Sequence, residues 1–438
     1  MGGSLIALAM PFRGLPAWAQ ALFWVEFVVV LAVGLWTTVL FVLSRRALHS
    51  PPEATARGAD GFLWVFLVPA LNEGVTIGDS VARLVEVEAA NKIVLVIDDG
   101  STDDTAAVLA RIDAPDLEVV RRVAPDAQLG KAAALNYAWQ QLERMLESDR
   151  WAGWSRDRVV VCVVDADGRL DPHATRYAAA HFADERVGGL QVLVRIYNRS
   201  HALTWCQDVE FSVYGLLYQA GRTRYGAAGM GGNGQFNRLS ALDAIADGGA
   251  PWRDRLTEDQ DLGLRLIEAG WRGVTDARTT VEQQGLPGLR ALLRQRTRWA
   301  QGNLQAMSHL GAVARTPRPW AVRADLVAYL LMPAFQALVG IGFVASILLA
   351  IFDVAGFWGD GGWWQLLFFF VLGYGGVTLG CIARGARAGP VGVVRSLLIV
   401  PVYATYAWLI WPVLFRATTR QLTGRGDWAK TAREPIGT

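Results

Sequence analysis

The chain has 438 residues, of which 52% are hydrophobic and 19% are charged. Its 42 basic and 40 acidic residues give a formal net charge of +2, so the charge balance offers no reason to expect a nucleic-acid partner. The three cysteines, Cys162, Cys206 and Cys381, are scattered and form neither a disulfide framework nor a zinc motif. This composition is typical of a soluble domain joined to membrane helices.

The first candidate membrane segment is Ala21–Leu43, an apolar stretch interrupted only by Glu26. It is long enough to span a bilayer and is not followed by a clear small-residue cleavage site, which predicts an uncleaved anchor within residues 1–50. Arg45 and Arg46 follow directly. Because basic residues favour the cytoplasmic side of a membrane segment, the domain after the anchor is expected in the cytoplasm.

After the anchor, apolar β-branched runs alternate with helical patterns, which predicts a mostly parallel sheet with helices on both faces. The expected strands are Phe62–Val68, Lys92–Ile97 and Val159–Val164, and the first two precede expected helices at Gly78–Val87 and Thr102–Arg111. Each strand ends in a polar cluster. Since ligands of open α/β sheets bind at the carboxyl ends of strands, these clusters predict a binding site.

Asp165 and Asp167 follow the third expected strand two residues apart. Two carboxylates at one turn supply the oxygen ligands that Mn²⁺ or Mg²⁺ prefers, and such a metal would stabilise a departing diphosphate. The alternative is a plain turn or helix cap, which aspartate also favours. Asp98 likewise follows an apolar strand and leads into Gly100, Ser101 and Thr102, and here too the alternative is a simple strand–helix turn.

Lys131 follows Gly130 at the start of a helical pattern and could place a point charge near a base or a phosphate; the alternative is an exposed loop lysine. Further on, residues 286–325 contain arginines among leucines, which is typical of an amphipathic helix at a membrane surface. Within this segment Arg298 could hold a diphosphate bidentately, and Trp299 could offer a flat face to a sugar ring. His173, His181, His201 and His309 have no metal-binding spacing and are expected at the surface or at helix ends.

Three further apolar stretches, Leu326–Phe352, Trp363–Ile382 and Gly392–Phe415, make residues 326–415 a C-terminal membrane region of two or three segments. The loop with Asp353 and Asp360 is expected outside and the loop with Arg384 and Arg387 inside. Full crossing by the last stretch would put the basic tail, residues 416–438, outside. Because that stretch contains prolines, which interrupt helices, the favoured hypothesis is a re-entrant last segment with a cytoplasmic tail.

Four motifs occur in a fixed order: Asp98-Asp99-Gly100-Ser101, Asp165-Ala166-Asp167, Thr257-Glu258-Asp259 and Gln295-Arg296-Thr297-Arg298-Trp299. In this order they resemble the membrane-embedded, processive family 2 glycosyltransferases, the group of cellulose, chitin and hyaluronan synthases. The resemblance covers roughly residues 60–305. It implies an α/β GT-A domain, of the nucleotide-diphospho-sugar transferase type, over residues 51–285 in the cytoplasm, joined to α-helical transmembrane segments. It also extends to residues 428–433, which look like a cytoplasmic C-terminal motif of such enzymes.

The resemblance also implies roles for individual residues. Asp259 would be the base that deprotonates the acceptor hydroxyl, in a catalytic motif with Thr257 and Glu258. The remaining assignments concern ligands and are grouped by what they would bind: the nucleotide by Pro69, Asn72, Glu73, Asp98, Lys131 and Asp165; the metal by Asp165 and Asp167; the diphosphate and acceptor by Gln295, Arg298, Trp299, Gly232 and Asn233. The last two lie in a glycine-rich loop, Ala228–Phe236, that is expected between helical patterns and departs from the cellulose- and hyaluronan-synthase forms. The departure leaves the sugar and the linkage open.

The leading expectation is therefore an inverting, processive transferase in the inner or plasma membrane. It would use a UDP-sugar and Mn²⁺ or Mg²⁺, extend a β-linked glycan and export it, with an envelope partner as a further expectation. One alternative is a non-processive transferase with a lipid acceptor. Another, from a different class, is a transporter with a nucleotide-sensing domain, which the apolar segments disfavour because ionisable residues lie only near their ends.

Overall fold

A computed structural model describes residues 15–352, 371 and 373–424. The strands, in chain order, are β1 (Leu63–Ala70), β2 (Lys92–Asp98), β3 (Leu117–Arg121), β4 (Val159–Val163), β5 (Arg169–Leu170), β6 (Val187–Ile196), β7 (Gln235–Arg238) and β8 (Arg272–Gln283). The α-helices that begin before residue 289 are α1 (Ala17–His49), α2 (Ala56–Asp60), α3 (Ile77–Val85), α4 (Thr105–Leu109), α5 (Lys131–Leu146), α6 (Ala174–Phe182), α7 (Ala202–Val213), α8 (Ala220–Thr223), α9 (Leu239–Ile245) and α10 (Glu258–Glu268). Those that follow are α11 (Leu289–Ala306), α12 (Leu310–Arg315), α13 (Trp320–Leu330), α14 (Met332–Ile351), α15 (Gly375–Gly385), α16 (Gly389–Ala407) and α17 (Ile410–Leu422).

The strands form one mixed sheet in the order β3-β2-β1-β4-β7-β6-β8-β5. The first four strands are parallel, as expected, whereas β7 runs antiparallel to both β4 and β6. The sheet is therefore less uniformly parallel than the sequence predicts. The short β7 follows a loop directly, so no βαβ crossover constrains its direction.

Strand β1 lies inside the sheet, between β2 and β4, and its apolar run is buried on both faces. Trp64 and Phe66 pack on one face in a core that includes Phe182 of α6. Leu63 and Val65 point to the other face, where the core includes residues of α5 and α9. This alternation explains why a continuous hydrophobic run, rather than a half-polar pattern, marks a central strand.

The expected elements are present with shifted ends. Strand β1 continues to Ala70, so Pro69 lies within the strand. The helix expected over Thr102–Arg111 is shortened to α4, because side chains cap the preceding loop: Asn72 Oδ1 accepts from the Thr102 N–H at 2.7 Å, and Asp103 Oδ1 accepts from the Thr105 N–H at 3.0 Å. Such side-chain bonds compete with the first helical turn.

Three described helical stretches are long and apolar enough to cross a membrane: Ala17–His49, Met332–Ile351 and Gly375–Leu422. Helices α1 and α14 pack together through Ala19, Phe23 and Leu349. Glu26, expected near a segment end, lies in the interior of α1 and is buried against Gly342 of α14. Residues 363–370 and 372 of the expected segment Trp363–Ile382, the loop with Asp353 and Asp360, and residues 428–433 lie outside the described residues.

The last expected membrane stretch, Gly392–Phe415, is divided between α16 and α17, which meet at Trp408 and Leu409. Pro401 lies inside α16, so the interruption is not at that proline. Pro412 lies in the first turn of α17, where a proline is compatible with a new helix. Helix α17 then packs on α11 through Val413, Ala417 and Ala300.

Candidate active site

Lys131 occupies the centre of the predicted site. It is the first residue of α5, and its Nζ lies 2.5 Å from Asp165 Oδ1 and 3.5 Å from Glu258 Oε1. The same ammonium donates to the Gly232 carbonyl at 3.1 Å. A fifth of the lysine side chain is exposed. Lys131 is therefore not an exposed loop lysine: it joins three predicted motifs that are far apart in the chain.

The turn after β4 holds Asp165 and Asp167 through bonds from two other segments. The Asp165 N–H donates to Asn233 Oδ1 at 3.1 Å, and the Gln284 N–H, just past β8, donates to Asp167 Oδ2 at 2.9 Å. A Cβ on Gly168 would lie 2.7 to 2.9 Å from Val164, Asn233 and the Asp165 carbonyl, so only glycine fits there without a shift. The two carboxylates are thus fixed by packing as well as by their own strand.

The glycine-rich loop reaches the site by close backbone approach. The sequence predicts helical patterns on both sides of this loop, but the loop leads directly into strand β7. A Cβ on Gly232 would lie 3.1 Å from both Asp259 Oδ2 and Lys131 Nζ. Asn233 is held by Gln191, whose Nε2 donates to the Asn233 carbonyl at 2.7 Å, and its own amide donates to Gln283 at 3.0 Å. In the structure Asn233 therefore positions Asp165, and Gly232 leaves room for the charged groups.

Thr257, Glu258 and Asp259 form the start of α10. Glu258 is 7% exposed, and burial, which is the main cause, together with the neighbouring Asp259 raises the pKa of its carboxyl. Burial likewise raises the pKa of Asp259, while Lys131 and Arg298 oppose the rise. A carboxylate whose pKa lies nearer to neutrality is better suited to accept a proton than an ordinary aspartate.

Helix α11 approaches this motif at Gly302. A Cβ there would lie 2.4 Å from Thr257 Oγ1, so the two helices touch without an intervening side chain. One turn earlier, Arg298 Nη1 donates to the Leu256 carbonyl at 3.1 Å, beside the acidic motif. These contacts bring the guanidinium of Arg298, which is predicted to bind the diphosphate, next to the predicted base.

Gln295 and Trp299 face another direction. Gln295 accepts from Arg296 Nη1 at 3.1 Å, and the Trp299 ring meets Phe211 of α7 edge-on at 6.1 Å. The Arg296 guanidinium lies over the Trp299 ring at 4.1 Å and binds Glu210 at 2.6 Å. Among the described contacts, neither Gln295 nor Trp299 reaches the Lys131 cluster. They line the side of α11 that faces α7.

The predicted nucleotide residues gather at the ends of β1 and β2. Asn72, with a φ of 52°, donates its N–H to Ser101 Oγ at 2.9 Å, and the Glu73 N–H donates to Thr105 Oγ1 at 2.8 Å. Asp98 is buried; its Oδ1 accepts from the Ser101 N–H at 2.9 Å, and its Oδ2 lies 3.6 Å from Arg121 Nε. Both motifs thus build one pair of interlocked turns beside the Asp165 turn, because β1 pairs with both β2 and β4.

Several residues of the site carried no usable sequence signal. Gln191, Gln283 and Gln284 act only as hydrogen-bond partners, and their types are common in strands and loops. His309, expected at the surface or a helix end, does lie at a helix end, directly before α12, but it is buried, with its Nε2 3.0 Å from Asp261 and its Nδ1 2.8 Å from Glu268. The one sequence feature nearby, the acidic first turn Glu258–Asp261, is equally typical of an ordinary helix N-terminus.

A divalent cation is implied by the resemblance, and the donor set can be compared with its needs. Asp165 and Asp167 supply hard carboxylate oxygens from one turn, which suits Mn²⁺ or Mg²⁺. No cluster of three or more metal-binding side chains occurs within residues 15–352, 371 and 373–424. The side chains therefore fit a cation that takes its other ligands from a bound diphosphate and water, as Mg²⁺ commonly does.

Comparison with known proteins agrees with this geometry. The profile of the glycosyl transferase family group 2 matches residues 160–415, and that of glycosyl transferase family 2 matches residues 65–245. A beta-monoglucosyldiacylglycerol synthase of Synechocystis sp. is 32% identical over 66% of this chain and 57% of its own length. A poly-beta-1,6-N-acetyl-D-glucosamine synthase of Staphylococcus aureus is 28% identical over 60% of this chain and 59% of its own length. The chain thus spans somewhat more than half the length of these relatives.

The structural comparison concerns the fold. The mannosyltransferase PcManGT of Pyrobaculum calidifontis, solved in complex with GDP-Man and Mn²⁺, aligns with a TM-score of 0.57 and 18% identity over 91% of this chain and 99% of its own. This likeness confirms the GT-A architecture expected for residues of the mixed sheet. Since the first family profile covers more than half of the residues, the chain belongs to the family 2 glycosyltransferases.

Proposed function

We propose that this glycosyltransferase transfers a sugar from a UDP-sugar to an acceptor hydroxyl with inversion at the anomeric carbon. The observation that supports the proposal best is the Lys131 cluster, in which one ammonium contacts Asp165, Glu258 and the Gly232 carbonyl. Asp259 would act as the base, and its raised pKa suits that role. A single base and no carboxylate nucleophile are the requirements of an inverting displacement.

A bound divalent cation would neutralise the charge that develops on the diphosphate leaving group. Asp165 and Asp167 would hold it, and the Mn²⁺ of the mannosyltransferase complex is consistent with such a cation. Arg298 would bind the diphosphate from the other side, because its guanidinium is fixed next to the acidic motif by the Leu256 carbonyl. The turns around Asn72 and Asp98 would receive the nucleoside, with Pro69 and Glu73 at their edge.

Two acceptors suit this site. The first is a growing β-linked glycan, as in a processive synthase; the motif Gln295–Trp299 and the relative that makes poly-β-1,6-N-acetyl-D-glucosamine favour it. The second is a membrane lipid, as the name of the glucosyldiacylglycerol synthase suggests for that relative. The wall formed by Trp299 and Phe211 beside the membrane helices would serve either acceptor. Export of a polymer, with an envelope partner, follows only from the first.

For the membrane topology we propose a cytoplasmic catalytic domain, an N-terminal anchor in α1 and a re-entrant α16–α17 pair. The start of α16 lies at the catalytic domain, where Arg387 Nη2 donates to the Ala277 carbonyl at 2.9 Å. After the turn at Trp408, α17 packs on α11, the helix that follows the catalytic domain. A helix pair that starts at the catalytic domain and ends against α11 supports a hairpin and a cytoplasmic tail.

The test uses membranes that contain the full chain, a panel of labelled UDP-sugars and Mn²⁺, with and without a chelator. The products are sized and partitioned into organic solvent. We expect transfer to fall by roughly 10² to 10⁴ in Asp259→Asn, the range of general-base catalysis, and to persist in the control Asp254→Asn, an exposed neighbour. High-mass product identifies the glycan acceptor and solvent-soluble product the lipid. Equal transfer by both variants would refute Asp259 as the base.

A further inference from the structure

A basic cleft lies apart from the catalytic motifs. It has a volume of about 490 Å³ and is lined by the end of α1, the segment after it, α8, β8 and the turn before α16. Its charged lining comprises five arginines and two aspartates, a net charge of +3 with the histidines neutral; the arginines are Arg45, Arg224, Arg272, Arg278 and Arg387. The volume is in the range of small-molecule sites.

The two aspartates of the cleft are already paired. Asp276 binds Arg278 at 2.5 Å and His181 at 3.0 Å, and Asp184 binds Arg272 at 2.7 Å. Arg45, Arg224 and Arg387 have no carboxylate partner within the part of the chain that the structure describes; Arg387 donates only to the Ala277 carbonyl. The excess positive charge is therefore carried by three guanidinium groups that can still bind an anion.

The cleft is separate from the site of glycosyl transfer. In the pairing of β8 with β6, the cleft residue Asp276 lies opposite Val192. Gln283, whose neighbour Gln284 binds Asp167 in the site, lies opposite Ile196. Four strand residues, or about 13 Å, separate the two levels. None of the residues around Lys131, Asp165 or Asp259 lines the cleft. An anion bound there would not be the donor diphosphate in its reacting position.

The exposed apolar surface of the membrane helices ends at the cleft. On α1 the last strongly exposed apolar side chain is Val42, 46% exposed, one turn before Arg45. On α16 the first is Val391, 62% exposed, one turn after Arg387. Both helices therefore leave the apolar layer at the level where the unpaired arginines begin, which is the depth of lipid phosphates.

We propose that this cleft binds the phosphate of an anionic membrane phospholipid. Arginine suits this ligand because its planar guanidinium pairs with phosphate oxygens bidentately. The shared chemistry is a phosphate ester, which a soluble compound could also supply; the position at the ends of α1 and α16 favours the lipid. The inference does not depend on which acceptor the enzyme uses.

The test compares the purified full chain with Arg45→Gln/Arg224→Gln and with the control Arg46→Gln/Arg395→Gln. The control removes Arg46, near the C-terminal end of α1, and Arg395 of α16. Both arginines are exposed and neither lines the cleft. Native mass spectrometry in detergent measures the retention of phosphatidylglycerol and of zwitterionic phosphatidylcholine, and glycerol 1-phosphate serves as the soluble probe. Unfolding temperature checks that each variant is folded.

We expect the cleft variant to lose phosphatidylglycerol affinity by on the order of tenfold, with little change in the control and in phosphatidylcholine binding. Equal phosphatidylglycerol retention in both variants would overturn the proposal. Binding of glycerol 1-phosphate to the native chain but not to the cleft variant, with unchanged lipid retention, would assign the cleft to a soluble phosphate instead. If the double variant does not fold, Arg224→Gln, at an exposed position, carries the same comparison.

Discussion

The buried histidine His309, next to the helix that begins with the proposed catalytic motif, allows a quantitative prediction. His309 lies in the turn that follows α11, and 8% of its side chain is exposed. Its ring nitrogens contact Asp261 at 3.0 Å and Glu268 at 2.8 Å, both on α10. Arg265 and Arg255 also face Asp261, at 2.8 and 3.8 Å. His309 therefore ties the helix that begins with Glu258 to the end of the helix that carries Arg298.

Hydrogen bonds to Asp261 and Glu268 raise the pKa of His309 to about 9, against an ordinary value near 6.5. A group whose pKa is raised by folding stabilises the folded state most where it is protonated in both states. The contribution is thus complete below about pH 6.5 and is lost as the pH rises through about 9. The difference between the two pKa values corresponds to about 3 kcal/mol of unfolding free energy.

Thermal unfolding of the native chain and of His309→Gln in detergent, from pH 6 to pH 10, measures this contribution. We expect the variant to unfold about 3 to 6 °C lower at pH 6.5, and the gap to close towards pH 10. His173→Gln is the matched control, because His173 contacts Glu88 with 47% of its side chain exposed. A gap of constant size across this range would mean that the ring stabilises by packing alone and would refute the charge argument.

Two further predictions concern the junction of α5, α10 and α11. Lys131→Gln removes the cation that opposes protonation of Glu258 and Asp259, so the acid limb of the pH–rate profile should move to higher pH by about 1 to 3 units. The control Lys131→Arg keeps the charge and should limit this shift. An unmoved profile in Lys131→Gln would contradict the electrostatic role. Gly302→Ala places a methyl group against Thr257 and should lower stability by about 1 to 3 kcal/mol in denaturant unfolding. In Gly311→Ala, where only the flexible Arg315 is near, we expect no loss.

The sequence predicts the strands of the α/β domain well because the central ones are continuous apolar runs. Strand β1 is a continuous apolar run, and the polar residues that follow β1, β2 and β4 mark the edge where the site lies. The direction of β7 could not be read in the same way. That strand has only four residues, and its antiparallel pairing depends on where the glycine-rich loop places it. Periodicity reports burial and says little about strand order.

Some site residues can be predicted from the sequence, and others can be placed only by the fold. Lys131 follows a glycine in an ordinary helix start, and only the fold shows that its ammonium joins Asp165 to Glu258. Local patterns are equally silent on His309, whose partners lie on another helix more than forty positions away. Residues that act through their own strand end can be anticipated from sequence, whereas residues that act by linking elements cannot.

The linkage continues from the site to the membrane. Glu210 of α7 binds Arg296 of α11 at 2.6 Å and accepts a hydrogen bond from the Tyr406 hydroxyl of α16 at 2.8 Å. One carboxylate therefore joins the helix that carries Arg298 to the last described membrane-region helices. The Arg296 side chain is 12% exposed, so loss of Glu210 would leave its guanidinium mostly buried without its carboxylate partner, which is costly, and we expect the contact to hold the three helices together. If the proposed roles hold, an acceptor that approaches along α16 would consequently meet Trp299 at a position already fixed relative to Asp259, the proposed base.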